Sequence, residues 1–345
     1  MLFIIYKIII LSKMKIVDDI YGEFNITEPV LEELINSKAL QRLKGIAQGG
    51  YYPAYPKSMQ KGLTRFYHSL GDMLLLRKFN APIEEQIAGL IHDVSHTSFS
   101  HTYDYIMEGT EGQKKQNFQD SIHEKFVLKS DIPQILEKYG YDLNYILDDK
   151  NFSLKENNAP NICSDRIDYS IRDDFFQLNF LNKDERNYIL SSLRVYNGSF
   201  VMKDFESAKF FAEFFLKVDN TQYSGLQTAV MFGIGGLLFK SAINAGVITL
   251  EDFFDKNDSE ILKIIEDNLN KNENIKLYYD YLHLPKEEFE SNPNNYIRHL
   301  FCKVRRIDPQ FIDNGKLSRV SDYDVKFKEE LSKTGKFNEY FLNKK

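Results

Sequence analysis

The 345-residue chain has no tryptophan, two cysteines, nine prolines and seven histidines. Each shortage excludes something. Cys163 and Cys302 stand far apart and neither belongs to a C-x-x-C pair, which rules out a thiolate zinc cluster and a disulfide framework. Two lone thiols fit a reducing compartment, so a cytoplasmic protein is expected. The apolar run that opens the chain is too short for the roughly 20 residues of a membrane-spanning helix. Lys7 interrupts it and no small-residue cleavage site follows. Residues 1–13 therefore read as an extension ahead of a domain starting near Met14, and no membrane span is expected. The net charge of −6 argues against wholesale binding to a nucleic-acid backbone. It leaves room for an anionic nucleotide, which needs only a few local cations.

What is present fits a soluble globular protein: 43% hydrophobic and 27% charged residues, with 27 Phe and 21 Tyr to build a core. Apolar residues recur at helical spacing through 27–47, 64–79, 83–95, 99–108, 162–176, 204–218 and 224–244. One β-hairpin stands out near 193–202, where Asn197-Gly198 supplies the positive φ angles of a type I′ turn. Residues 300–307 read as a late strand, and the Lys-rich end from Lys326 as a solvated helix and frayed tail. No repeat or low-complexity linker interrupts the chain. The expected fold is all-α apart from that hairpin, with a core over 14–180 and a helical C-terminal part, 181–345, packed on it. The Phe-rich stretch Phe205–Phe215 is expected to form core and a homo-oligomer face, in a dimer or higher assembly.

Histidine is scarce, yet five of the seven fall between His68 and His123. Leu90-Ile91-His92-Asp93-Val94-Ser95-His96 continues to Phe99-Ser100-His101, a dense set of groups that bind metals and move protons. Imidazole nitrogen and carboxylate oxygen are ligands for borderline and hard divalent metals. One His-Asp pair cannot fill a coordination shell, so the chain must return with more ligands. His68 is the upstream candidate, on a helix whose Leu70, Met73 and Leu74 would pack against the 83–95 helix. Downstream, Asp165 and Asp168 are three apart and can share a helix face.

The order His68, His92-Asp93, then an Asp in Asp165-Arg166-Ile167-Asp168 resembles the HD superfamily of metal-dependent phosphohydrolases. Within it, the deoxynucleoside-triphosphate triphosphohydrolase branch is most similar. Arg65-Phe66-x-His68-Ser69-Leu70-Gly71, Gly89-Leu90-x-His92-Asp93-x-x-His96, Phe99-Ser100-His101, His123-Glu124 and Asp165-Arg166-x-Asp168-Tyr169-x-x-Arg172-Asp173 carry the likeness, over about residues 15–180. The resemblance implies His68, His92, Asp93 and Asp165 as ligands of iron, manganese or zinc, with Mg²⁺ as an additional cofactor candidate. It implies His101 as acid to the leaving group, His123 oriented by Glu124, and His96 against phosphate. Arg65 and Arg166 would bind phosphate, Gln48 and Asp173 the sugar 3′-hydroxyl, and Tyr169 the sugar or base. The implied reaction is hydrolysis of a dNTP to deoxynucleoside and triphosphate by attack of metal-bound hydroxide on the α-phosphorus. Alternatives are another HD phosphoesterase (a nucleotidase or cyclic-nucleotide phosphodiesterase) and a non-catalytic module that binds nucleic acid or a partner. The branch has Lys where Arg166 stands, and its animal member has an apolar residue where Gly49 stands.

Overall fold

The computed structural model describes residues 14–53, 62–106, 110–333 and 335–345. The extension expected over residues 1–13 lies outside these.

Three helices frame the centre. The first, Arg65–Lys78, buries Phe66, Leu70, Met73 and Leu74 and carries Arg77 and Lys78 in its last turn, where cations oppose the helix dipole. Just beyond it Asn80 takes a left-handed φ of 56°. The second, Ile83–Ile91, opens with Glu84 and Glu85 in its first turn. It lies close against the first because Gly89 has no side chain. A Cβ there would stand 2.6 Å from Leu76 Cδ1 and 2.8 Å from Asp72 Oδ2. The third, Ser164–Asp173, buries Ile167 and Ile171 and runs into a π-helical turn, Asp174–Leu178.

The helix expected over 83–95 ends at Ile91, and the chain then turns, with His96 N–H donating to Asp93 O at 3.0 Å. Phe99 and Ser100 follow at φ 60° and 49°, opening a 3₁₀ segment, Ser100–Tyr105. The helix expected over 27–47 is two short ones, Pro29–Ile35 and Lys38–Arg42. Ser37 separates them by capping the second through Leu40 N–H.

The all-α expectation needs correction. The protein is mainly helical, with 56% helix, but its 14% strand is too much for one hairpin. Residues Met14–Asp18 and Gly22–Ile26 form an antiparallel hairpin. The expected hairpin, Leu193–Tyr196 with Ser199–Met202, is present with Asn197 and Gly198 at φ 49° and 75°. It is extended to four strands by Gln310–Asp313 and Lys316–Arg319, through a parallel contact of Met202 with Phe311. A third sheet places the C-terminal strand, Phe337–Lys344, between Phe289–Ser291 and Arg298–Lys303. The late strand is thus present, whereas the expected frayed tail is the middle of a sheet. Its partners lie well upstream in the chain, and no local spacing announces such a pairing.

Two hydrophobic clusters result. The first gathers the N-terminal elements, the three framing helices, residues 189–218 and parts of 307–327. The second packs Phe99–Ile106 against the long Leu226–Asn244 helix and the three-stranded sheet. The helical stretch Phe205–Asn244 is long and apolar enough to cross a membrane by length and composition, but most of it is buried inside the fold. Its apolar character is that of core.

Candidate metal centre

His68, on the first framing helix, is 1% exposed. Its Nδ1 lies 2.8 Å from Asp168 Oδ2, and Asp168 in turn accepts two bonds from Arg172, from Nε and Nη2, each at 2.9 Å. His92 caps the end of the second helix, with Nδ1 2.7 Å from Gly89 O. A carbonyl can only accept, so His92 Nδ1 carries the proton and Nε2 presents a lone pair. The carboxylate of Asp168 fixes His68 in the same sense. Backbone and carboxylate partners of this kind orient metal-binding imidazoles.

The two Nε2 atoms converge, 3.3 Å apart. Asp165 Oδ1 stands 2.9 Å from His68 Nε2 and 3.6 Å from His92 Nε2. Asp93 adds Oδ1 at 3.4 Å from His92 Nε2 and Oδ2 at 3.7 Å from His68 Nε2. Ligand atoms of His68, His92 and Asp165 all lie within 4.8 Å of one another. Two imidazole Nε2 atoms and two carboxylates converging on one point make an anion-rich pocket that suits a cation. Titration tells the same story. Burial depresses the His68 imidazole, but hydrogen bonds to Asp165 and Asp168 outweigh it and lift the group to about 10. His92 is likewise lifted to about 9 against burial, chiefly by Asp93 and Asp165. Burial raises Asp165, but the two histidines hold it below the usual carboxylate range. A two-histidine, two-carboxylate set fits a divalent transition metal and leaves positions for water or substrate oxygen.

A second cluster, Glu156, Cys163 and Asp165, shares one of these carboxylates. Burial pushes the Cys163 thiol well up, so it stays protonated and is a poor ligand.

The centre opens into a cavity of about 720 Å³. Arg65 lines it, its guanidinium held by Asp93 Oδ2 at 2.7 Å and Ser100 Oγ at 3.1 Å. His96 approaches Asp93 Oδ1 at 3.4 Å and meets His101 edge to face, with ring centroids 5.2 Å apart. His101 Nδ1 is 3.5 Å from Asp104 Oδ2. Burial depresses both His96 and His101, so both are neutral at pH 7. His123 is held down at about 4, by burial first and then by Lys155. Its Nδ1 lies 3.1 Å from Ser95 Oγ. Glu124 was expected to orient His123; it lines the cavity, but the hydrogen bond present is with Ser95.

Arg166 also lines the cavity, with its guanidinium engaged by Glu156 at 3.0 Å, Cys163 Sγ and Asn157 O. Tyr169 stands over the same space, its ring 5.3 Å from that of Tyr223. Tyr223 OH donates to Asp173 Oδ2 at 2.9 Å, while burial raises Asp173 to about 6. Gln48, Gly49, Asp173 and Tyr223 also line a smaller chamber of about 70 Å³ that adjoins the cavity, and Gln48 Oε1 has no hydrogen-bond partner among the described residues.

Several contributors are invisible in the spacing. Asp258 is fully buried and accepts Ala47 N–H at 2.9 Å and Phe99 N–H at 2.7 Å. One carboxylate thereby pins both the Gln48 loop and the left-handed turn before His101. Lys303, Arg305 and Arg306 complete the far wall of the cavity from the C-terminal half. Only Asp168 had a local signal, its three-residue offset from Asp165.

No family model matches the chain. Uncharacterized protein YdhJ of Bacillus subtilis is 36% identical over 303 residues, which span 87% of this chain and 90% of that one. The metal-dependent phosphohydrolase cns2 of Cordyceps militaris is 27% identical over 308 residues, 86% of this chain and 85% of its own. The deoxynucleoside triphosphate triphosphohydrolase SAMHD1 of Gallus gallus is 30% identical over 148 residues, 37% of this chain and 24% of that protein. A solved phosphohydrolase from Bacteroides thetaiotaomicron shares the fold, with a TM-score of 0.67 at 17% identity over 96% of this chain and all of that one. A hypothetical protein from Aquifex aeolicus superposes as well, with a TM-score of 0.67 at 18% identity over 96% and 95%. The chain belongs to the same family as YdhJ, and its ordered His68, His92-Asp93 and Asp165 set and its likeness to cns2 make it similar to the metal-dependent phosphohydrolases.

Proposed function

We propose that the protein hydrolyses a nucleoside triphosphate, a dNTP by preference, to the nucleoside and triphosphate. The observation that carries this reading is the convergence of His68, His92 and Asp165, with Asp93 beside them, at the floor of a cavity large enough for a nucleotide. The partial similarity to SAMHD1 supports the choice of substrate. A divalent ion held by His68, His92, Asp93 and Asp165 supplies Lewis acidity, polarising a phosphoryl oxygen and making a water more acidic.

The chain's own residues do the rest. Arg65, preset by Asp93 and Ser100, offers its remaining guanidinium N–H groups to a phosphate oxygen. His96 lies beside it. His101 arrives neutral, and the negative charge of a bound phosphate favours the imidazolium. From Nε2 it then gives a proton to the departing 5′ oxygen, while Nδ1 stays toward Asp104. In the smaller chamber Gln48 and the Asp173–Tyr223 pair receive the sugar hydroxyl, and Tyr169 covers the sugar. His123, on Ser95, borders the same space as a proton acceptor.

Incubating the Mn²⁺-loaded protein with each dNTP and NTP and separating the products by ion exchange tests the reading. Intact tripolyphosphate and nucleoside are expected, and His92→Ala should lose both bound metal and turnover. Orthophosphate or a nucleoside monophosphate as the product would sink it in favour of another phosphoesterase activity. Loss of metal without loss of function in His92→Ala would favour a non-catalytic module.

A further inference from the structure

Six cations line the main cavity, and four of them are already neutralised. Arg65 is paired with Asp93, Arg166 with Glu156, Lys155 with Asp149 and Arg306 with Asp219. Lys303 and Arg305 have no carboxylate within salt-bridge distance among the described residues. Lys303 Nζ reaches only Lys115 O at 3.3 Å. Arg305 donates to Gln116 Oε1 at 3.2 Å and to Lys303 O at 3.5 Å, and its guanidinium lies 5.7 Å from the Tyr223 ring centroid. Both residues are partly buried, and burial depresses Lys303, with Arg305 adding to the effect. Asp120 and Asp104 act on Lys303 beyond salt-bridge distance, and two like charges set side by side without an ion-pair partner, facing a cavity, favour an arriving anion.

We propose that Lys303 and Arg305 form a clamp for the outer phosphates of a polyphosphate chain, so that the site takes a nucleoside triphosphate rather than a monophosphate or a cyclic diester. The inference rests on the hydrolase reading above for the placement of the α-phosphate at the metal residues. The clamp is held to its place by the backbone. Arg305 N–H donates to Asp219 Oδ1 at 2.9 Å, Val304 N–H to Lys336 O at 3.0 Å and Asp308 N–H to Pro160 O at 2.8 Å. Exchanging the side chains leaves these anchors intact. The middle strand of the three-stranded sheet, Phe337–Lys344, backs the Arg298–Lys303 strand along its whole length. On this proposal orthophosphate occupies the metal end alone, whereas tripolyphosphate engages both the metal end and the clamp.

Calorimetric binding of inorganic tripolyphosphate and of orthophosphate to the Mn²⁺-loaded full chain tests this without turnover. Lys303→Gln with Arg305→Gln should weaken tripolyphosphate binding roughly 10- to 100-fold and orthophosphate binding by less than about threefold. The charge-keeping pair Lys303→Arg with Arg305→Lys should recover most of the loss, and circular dichroism should match wild type throughout. Equal losses for both anions, no loss for either, or no tripolyphosphate binding by wild type would overturn the clamp. If binding follows the expected pattern but no dNTP is hydrolysed, the clamp stands and the reaction assigned above falls.

Discussion

At the scale of single residues, the hydrogen bond on the far side of a ring decides what the near side can do. His92 donates its Nδ1–H to Gly89 O and His68 its own to Asp168, which turns both Nε2 atoms toward Asp165. His123 shows the opposite situation. It has no carboxylate within hydrogen-bond distance among the described residues and sits neutral, at about 4 against an ordinary value near 6.5. The unfolded chain takes up this proton as pH falls below 6.5, while the folded chain resists until about 4. Stability from this group is therefore complete above 6.5 and is lost through that window, on the order of 2–3 kcal/mol. Unfolding free energies from urea titrations of wild type and His123→Gln between pH 7.5 and 4 should diverge by that amount, the wild type falling more steeply. Parallel pH profiles would show that His123 is not held neutral by the fold.

At the scale of elements, the centre depends on how closely helices approach. Gly71, on the Arg65–Lys78 helix, faces the Ser164–Asp173 helix, where a Cβ would stand 2.1 Å from Arg172 Nη2 and 2.2 Å from Asp168 Oδ1. The missing methyl group makes room for the carboxylate that orients His68. Gly71→Ala should therefore cost about 1–3 kcal/mol in a urea titration. It should also weaken Mn²⁺ affinity roughly 10- to 100-fold, because the orienting bond is displaced. Lower stability with unchanged metal affinity would show that Asp168 does not act through His68. Of these elements, the framing helices were legible in the sequence, since each has its own apolar period. Among the turns, Asn197-Gly198 was the clearest in the sequence. The break at Ser37 and the early end at Ile91 arise where capping and local turns outcompete an otherwise helical pattern.

Across the whole molecule, metal binding and stability are coupled. The anion-rich cluster suits a cation, and a cation that binds only the folded state stabilises it by mass action. At free Mn²⁺ 100 to 1,000 times the dissociation constant, the gain is about 3–4 kcal/mol. Chelation should lower the thermal midpoint of wild type and leave that of His92→Ala unchanged. An equal shift in both would place the stabilising ion elsewhere. The cavity is also a property of the whole chain. Its floor comes from residues 65–173 and its far wall from residues 303–307, and Asp258 ties the C-terminal half to the Gln48 loop.

The amino-acid order alone determined the ligand types, their sequence His68, His92-Asp93, Asp165, and the helices that carry them. These are local or pairwise features, written in periodicity and spacing. Tertiary structure decided the rest: which nitrogen of each ring faces inward, which of Asp165 and Asp168 joins the two Nε2 atoms and which stands behind His68, and which cavity cations lack a salt-bridge partner among the described residues. It also decided that a Lys-rich tail becomes the central strand of a sheet. Apart from the His92–Gly89 bond, those outcomes depend on contacts between residues far apart in the chain, 100 positions for His68 with Asp168 and 34 to 55 for the C-terminal strand with its neighbours. Such contacts leave no period in a sequence and are settled only when the chain is packed.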